Sequence, residues 1–229
     1  RFLFLPDWRG KAVCSGYLFE VFISTADFFM NGQWIEISNY VTQGLVIEHF
    51  TISAGETWCF FGANDSGSDR LLALLSGEKQ ACTCDKLAVP DDLRVVSFKS
   101  QQELYEEEVR QDDSDYLDRI DPGTIVRSFV GASSEAVELV RLFRLGHVMD
   151  SGYRQLSSGE SRKLLILQAV TDGGRFLLLE NPYDGLDIDS CGELDRVVDG
   201  LLKRGIKVVI FLTSKDDIPA WCSHVAYLA

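Results

Sequence analysis

The 229-residue chain contains no apolar run near the ~18 residues that a membrane-spanning helix needs. Its N-terminal stretch, broken by Pro6, Asp7, Glu20 and Asp27, lacks the basic, apolar, small-residue order of a secretory leader. The chain therefore reads as soluble or membrane-peripheral. Basic side chains are scarce: 22 Lys and Arg stand against 35 Asp and Glu, a net charge of −13 that repels phosphate backbones and anionic headgroups and disfavours nucleic-acid binding. Histidine is rarer still, and His49, His147 and His224 show no metal-ligand spacing. Among the cysteines only Cys82 and Cys84 are close in sequence, with no second pair or neighbouring His to complete a zinc set, so all read as reduced cytosolic thiols. Methionine is almost absent, and the first is Met30. The expectation is that translation starts there, with residues 1–29 an upstream or fragment-boundary segment; the alternative is an N-terminal extension packed on the domain. No internal repeat or low-complexity tract occurs. What is plentiful is apolar residues, at 46%, enough to build the core of one large domain or two small ones.

From Trp34 the chain alternates apolar and polar residues, and after a turn at Gly44 a second run covers Leu45 to Ile52; both predict strands of an antiparallel edge. Thr57 to Phe61 is a short, nearly continuous apolar run of the kind buried on both faces, followed by a glycine-rich loop and a helix from Arg70 to Leu75 stopped by Gly77. Residues 101–130 are acidic and polar, which predicts a solvated helical face with a flexible loop. A helix from Ser133 ends at Gly146, and an α/β rhythm then sets in: helix from Gly159 to Val170, strand 176–179, helix from Ser190 to Lys203, strand 207–212. Strands alternating with helices predict a mostly parallel sheet with covered faces.

Three motifs carry chemistry. The loop Gly62-Ala63-Asn64-Asp65-Ser66-Gly67-Ser68-Asp69 stands between a strand and a helix, the setting in which backbone N–H groups and a helix N-terminus cradle phosphates. Such a loop needs a lysine for the terminal phosphates and a hydroxyl for magnesium, and here those positions hold Ser68 and Asp69. Losing the ammonium removes a charge-assisted contact of roughly 1.5–3 kcal/mol. Asp69 adds repulsion unless it ligates the metal. The strand 176–179 ends in Glu180-Asn181-Pro182, where an Asp to order magnesium and a Glu to polarise water are expected. Glu180 can still hold a metal, but Asn181 cannot act as a base. The pentad Leu156-Ser157-Ser158-Gly159-Glu160 reads as a capped helix N-terminus able to meet a γ-phosphate, and Asp184-Gly185-Leu186-Asp187 follows the acidic strand at the right distance.

Together these residues resemble the ATP-binding cassette (ABC) ATPases, a P-loop NTPase fold. From about Trp34 to Leu228 the chain is most similar to the first cassette of the ModF/PhrA-type proteins, tandem cassettes associated with molybdenum transport. LSSGESRKLLILQAV, LLLENPYDGLDI and the stretch from Thr51 to Trp58 carry that likeness. The resemblance implies one cassette over residues 30–229, with an α/β core, an antiparallel β edge subdomain and an inserted helical subdomain at about 100–160. It implies ATP and Mg2+ as ligands, bound weakly or not at all, and a second cassette, in tandem or as a dimer partner, with a membrane permease as a further partner. The implied location is the cytoplasm or the inner face of the plasma membrane.

Carried over position by position, Tyr40 is the adenine-stacking aromatic, Gly62 to Asp69 the phosphate loop, and Ser100 or Gln101 stands at the magnesium-sensing glutamine. Leu156 to Glu160 is the signature, Glu180 and Asn181 the acidic pair, Asp187 the residue that communicates across a dimer, and Thr213 stands at the switch histidine. The lysine, the hydroxyl, the catalytic glutamate and the histidine are replaced, whereas the signature and the Gly185-Leu186-Asp187 turn are intact. The lost residues serve this chain's own nucleotide; the retained ones serve a partner's. The favoured expectation is a degenerate cassette with little or no hydrolysis of its own that lends its signature to a partner's site. The competing readings are a non-hydrolytic scaffold or nucleotide sensor, and an inactive truncated fragment.

Overall fold

The computed structural model describes residues 2–4, 12–14, 33–63, 67–78, 81–111 and 121–228, so Met30 and the expectation attached to it lie outside the described residues. The chain divides into two compact units, Arg1–Leu93 with Lys207–Ala229, and Arg94–Ile206.

In the first unit β1 (Phe2–Phe4) and β2 (Ala12–Cys14) form an antiparallel pair. β3 (Gln33–Thr42) and β4 (Leu45–Ser53) form a longer antiparallel ladder through the Gly44 turn, where φ is +88°. Only a residue without Cβ enters that region at no cost. Ile35, Ile37, Phe50 and Ile52 point inward, but the parity of burial changes at Asn39, whose φ is +48°. Beyond it Tyr40, Ile47 and Leu45 are the buried residues. Strict alternation continued from Ile37 would have left Tyr40 outside. A short β6 (Lys86–Ala88) pairs with the other edge of β3.

β5 (Trp58–Gly62) lies parallel between β9 (Lys207–Leu212) and β10 (His224–Leu228), with Cys59 opposite both Ile210 and Val225. Their apolar runs suit strands covered on both faces. At the strand entrance the Thr57 and Ser223 backbone amides each donate to the other's hydroxyl at 2.8 Å, and the Thr57 hydroxyl donates to the Trp221 carbonyl at 2.9 Å. This exchange fixes the register at the edge of the sheet. Phe50 meets Trp58 edge-on at 5.1 Å, and His224 stacks on Trp58 at 4.8 Å. α1 (Ser68–Leu75) buries Leu71, Leu74 and Leu75 and packs on β5.

The second unit holds β8 (Phe176–Glu180) beside β7 (Leu93–Val96), with α2 (Phe98–Arg110), α3 (Val126–Val130), α4 (Ser134–Phe143), α5 (Ser158–Thr171) and α6 (Ile188–Lys203). α5 touches α2, α3, α4 and α6, and it buries Leu164, Ile166, Leu167 and Val170 together with Ser161, Arg162 and Lys163. A helix enclosed this way needs no polar face, but its buried charges need partners.

The predicted strands and helices are all present, with ends shifted by one or two residues at most positions. β6 and β7 escaped the sequence reading because they are only three and four residues long; β10 escaped it as well. The acidic segment divides: α2 occupies its first part, and residues 112–120 lie outside the described residues. Glu108 corrects the expectation of a wholly solvated face. It is 5% exposed, and its carboxylate accepts a hydrogen bond from the Thr124 amide at 2.6 Å.

Thr57→Val keeps the shape of the side chain but removes the hydroxyl that donates to the Trp221 carbonyl, while the Ser223 amide keeps its bond to the Thr57 carbonyl at 3.0 Å. Equilibrium urea unfolding should show a loss of about 1–3 kcal/mol.

Candidate functional site

β5 ends at Gly62, and Ala63 beyond it is exposed. Asn64, Asp65 and Ser66, the centre of the expected phosphate loop, lie outside the described residues. On the far side Gly67 is the N-cap of α1, with a φ of 90° that favours glycine, and its carbonyl accepts the first helical bond from the Leu71 amide at 3.0 Å. Gly67 offers no side chain to cap this helix, and a helix start that follows a strand and a loop is a setting in which anions are bound. Asp69, exposed in that turn, suits the helix dipole but carries the same sign as a phosphate.

Arg70 was passed over in the sequence as an ordinary helix residue. Its guanidinium lies over the Gly44 turn, where a Cβ on Gly44 would sit 2.7 Å from Nη1. Tyr40 is fully buried, and burial, with the nearby Cys82 thiol, pushes its phenol above the usual value. An adenine-stacking ring needs an open face, and in this structure Tyr40 offers none. Thr213 is exposed just past β9.

In the second unit the pentad forms the start of α5. Ser157 is the N-cap: its hydroxyl accepts from the Glu160 amide at 3.3 Å, while the Glu160 carboxylate accepts from the Ser157 amide at 2.9 Å. This capping box satisfies two helix-end donors. The other Glu160 oxygen lies 2.8 Å from His147 Nε2. Leu156 closes the preceding turn, and Ser158 is exposed at the first helical position. A Cβ on Gly159 would come within 3.1 Å of the Ser190 hydroxyl, so glycine lets α5 approach the start of α6. That start is capped by Asp187, which accepts from the Ser190 amide at 2.8 Å and the Ser190 hydroxyl at 3.1 Å. Signature and Gly185-Leu186-Asp187 turn are thus joined through one serine.

Glu180 closes β8, half-buried, and Asn181 follows with φ 42°, a conformation that asparagine tolerates better than most residues. The Asn181 carbonyl accepts from Arg162 Nη1 at 3.1 Å, and Arg162 Nε donates to Gln101 Oε1 at 2.7 Å. Arg162 is 2% exposed; burial pushes its guanidinium below its ordinary pKa, opposed by the Asp184 charge.

Ser100 and Gln101, the residues expected near magnesium, are both engaged within the chain. The Gln101 oxygen is held by Arg162, and the Ser100 hydroxyl donates to the Ser97 carbonyl at 2.8 Å and accepts from the Ser97 amide at 2.9 Å as part of the α2 capping box. Among the described residues no group of three or more His, Cys, Asp or Glu side chains could hold a metal ion. Arg162 is the organising residue that motif reasoning missed, though its signal was visible: an Arg-Lys pair heading an otherwise apolar helix.

Arg162→Met should destabilise the chain by roughly 1–3 kcal/mol, chiefly from the Gln101 oxygen, since the Asn181 carbonyl keeps its bond from the Asp184 amide at 3.1 Å; urea unfolding reads the loss. Burial pushes the Glu160 carboxyl up, but the hydrogen bonds from Ser157 and His147 outweigh it and hold the group below its usual value. Ser190 holds Asp187 low in the same direction. A depressed folded-state pKa contributes stability above the unfolded value that is lost as pH falls through the folded one. Glu160→Gln should therefore flatten the fall of stability on acidification below about pH 4.3, measured by unfolding at successive pH values.

Residues 47–184, more than half of the chain, match the family model described as "ABC transporter". The chain is 29% identical over 194 residues to the ABC transporter ATP-binding protein ModF of Escherichia coli, covering 82% of this chain and 40% of that one. It is 22% identical over 198 residues to an uncharacterized ABC transporter ATP-binding protein of Schizosaccharomyces pombe, covering 78% and 41%. The chain thus spans about two fifths of the length of these curated relatives. Among solved structures, cbiO1 from Clostridium perfringens, part of the ABC transporter complex cbiONQ, superposes with a TM-score of 0.65 at 15% identity over 86% of this chain and 85% of that one. At that identity the superposition speaks for the fold, while the family match rests on the sequence itself: the chain belongs to the ABC transporter family and has the α/β fold of its ATP-binding cassettes.

Proposed function

We propose that this chain is a degenerate cassette whose surviving role is to present its signature, Leu156 to Glu160, to the phosphates of ATP held by a second cassette. The observation that carries the reading is the contrast within the chain. The α5 N-terminus keeps its cap, its glycine approach and an exposed Ser158, while the phosphate-loop helix has Ser68 and Asp69 where an ammonium and a hydroxyl would serve. Ser158, the Gly159 amide and the start of the helix are the groups that would meet the partner's γ-phosphate, and Asp187 would brace them through Ser190.

On this reading residues 30–229 form one cassette with a helical part at about 100–160. Magnesium-ATP at its own loop is bound weakly or not at all, because Ser68 and Asp69 stand where an ammonium and a hydroxyl would serve. Glu180 and Asp69 are the remaining candidates for a metal, and Asn181 and Thr213 occupy the hydrolytic positions without a base. The partner is a second cassette, in tandem or as a separate chain, and the ModF likeness favours a transport-associated assembly in the cytoplasm or at the inner face of the membrane. Among the described residues no helix is long and apolar enough to cross a membrane.

Equilibrium binding of a fluorescent ATP analogue to the wild type and to Ser68→Lys tests the first half: the wild type should bind about tenfold more weakly or worse. Mixing the chain with a competent cassette should raise ATP turnover, and Ser158→Arg should abolish the gain. Unchanged turnover with Ser158→Arg would sink the proposal, and tight binding without turnover by the chain alone would favour a nucleotide sensor.

A further inference from the structure

Helices α4 and α6 enclose a cavity of about 280 Å3 that no part of the cassette chemistry uses. Its walls carry Arg141 and Arg144 from one helix and Glu193 and Arg196 from the other, over an apolar floor that includes Phe143 and Val197. Arg144 is the C-cap of α4 with a left-handed φ of 54°, and Arg141 lies one turn earlier. Glu193 and Arg196 share a face of α6 by their spacing. Arg141, Arg144 and Arg196 are exposed around the cavity.

Glu193 is the one carboxylate in this lining, and it is already engaged. Its Oε2 accepts from the buried Lys163 ammonium at 2.8 Å, and its Oε1 lies 3.7 Å from Arg144 Nη1. The Lys163 hydrogen bond and charge hold the Glu193 carboxyl below its usual value, so it stays ionised and committed. Neither Arg141 nor Arg196 makes an ion pair with a carboxylate within bonding distance among the described residues. Nearby acids are taken by other partners: Glu138 by Arg204 at 3.4 Å, and Asp199 by Lys203 at 2.6 Å. Three guanidiniums therefore meet around one hollow in a chain of net charge −13, where composition alone would have supplied carboxylates.

We propose that this cavity binds a phosphate-bearing small molecule, a phosphomonoester or pyrophosphate group held by the guanidinium forks of Arg141, Arg144 and Arg196. Arginine presents planar paired donors that match phosphate oxygens, which a point-charge ammonium does not. A volume near the lower end of ligand pockets, roughly 300 Å3, admits a phosphate with a small organic group and excludes a dinucleotide. Phe143 and Val197 would cover the apolar part of that group. Because the donors come from both helices, an occupied site ties α4 to α6.

The test uses the whole chain, inorganic pyrophosphate as probe, and the arginine Nε–Hε resonances of 15N-labelled protein, assigned with the single variants Arg141→Gln and Arg196→Gln. Pyrophosphate at about 1 mM should shift the Arg141 and Arg196 signals, and removing either fork should weaken binding roughly tenfold. Added salt should weaken it further. The double variant should unfold at the same temperature as the wild type, because neither side chain is part of an internal ion pair. Signals that stay fixed overturn the proposal. So does binding of undiminished strength in the double variant, which would locate the anion at the phosphate-loop helix. Sedimentation with phosphatidylglycerol vesicles, dependent on Arg141 and Arg196 while pyrophosphate has no effect, would overturn the small-molecule reading in favour of a membrane surface.

Discussion

One buried guanidinium organises the second unit. Arg162 sits one turn into α5 with almost no exposure, and its hydrogen bonds reach Gln101 near the start of α2 and the carbonyl of Asn181 at the end of β8. A charge removed from water costs several kcal/mol unless its donors are satisfied, so the three segments are held together by the penalty of separating them. The left-handed backbone at Asn181 turns the carbonyl end of β8 toward that fork. Lys163 beside it repeats the logic with Glu193 on α6. The start of α5 is therefore fixed from beneath by its buried charges and at its tip by a reciprocal serine-glutamate cap.

This arrangement explains which side chains are available for chemistry. A group that closes a cap or answers a buried charge has a full-time partner, and Ser100 and Gln101 are both engaged in that way. Groups at the exposed tip of α5, Ser158 and the Gly159 amide, have no such duty in the framework. The start of α1 differs in kind: its N-cap is Gly67, which shapes the turn through its backbone and offers no side chain for a cap.

The α/β alternation, the capped start of α5 and the buried strands followed directly from the order of residues, because apolar periodicity and a serine at a helix end act locally. The LSSGE pentad and the Glu180-Asn181 strand end belong to the same class of signal. What escaped was decided at a distance. Glu108 is buried because the Thr124 amide, sixteen residues on, needs an acceptor. β6 and β7, of three and four residues, are too short to announce themselves and form against the edges of longer strands.

Tyr40 marks the boundary between the two kinds of information. Its sequence position gave it a place in a motif, and the alternation from Trp34 to Ile37 would have put it on the outer face; one left-handed residue, Asn39, reversed the parity and enclosed the ring. The three arginines of the α4–α6 cavity are likewise unremarkable as residues 141, 144 and 196 of an acidic chain. Sequence by itself determined the family and the order of strands and helices, since these depend on residue pattern and spacing along the chain. Only the tertiary structure decided which side chains are occupied and which remain open, because that depends on what the folding chain brings within hydrogen-bonding reach.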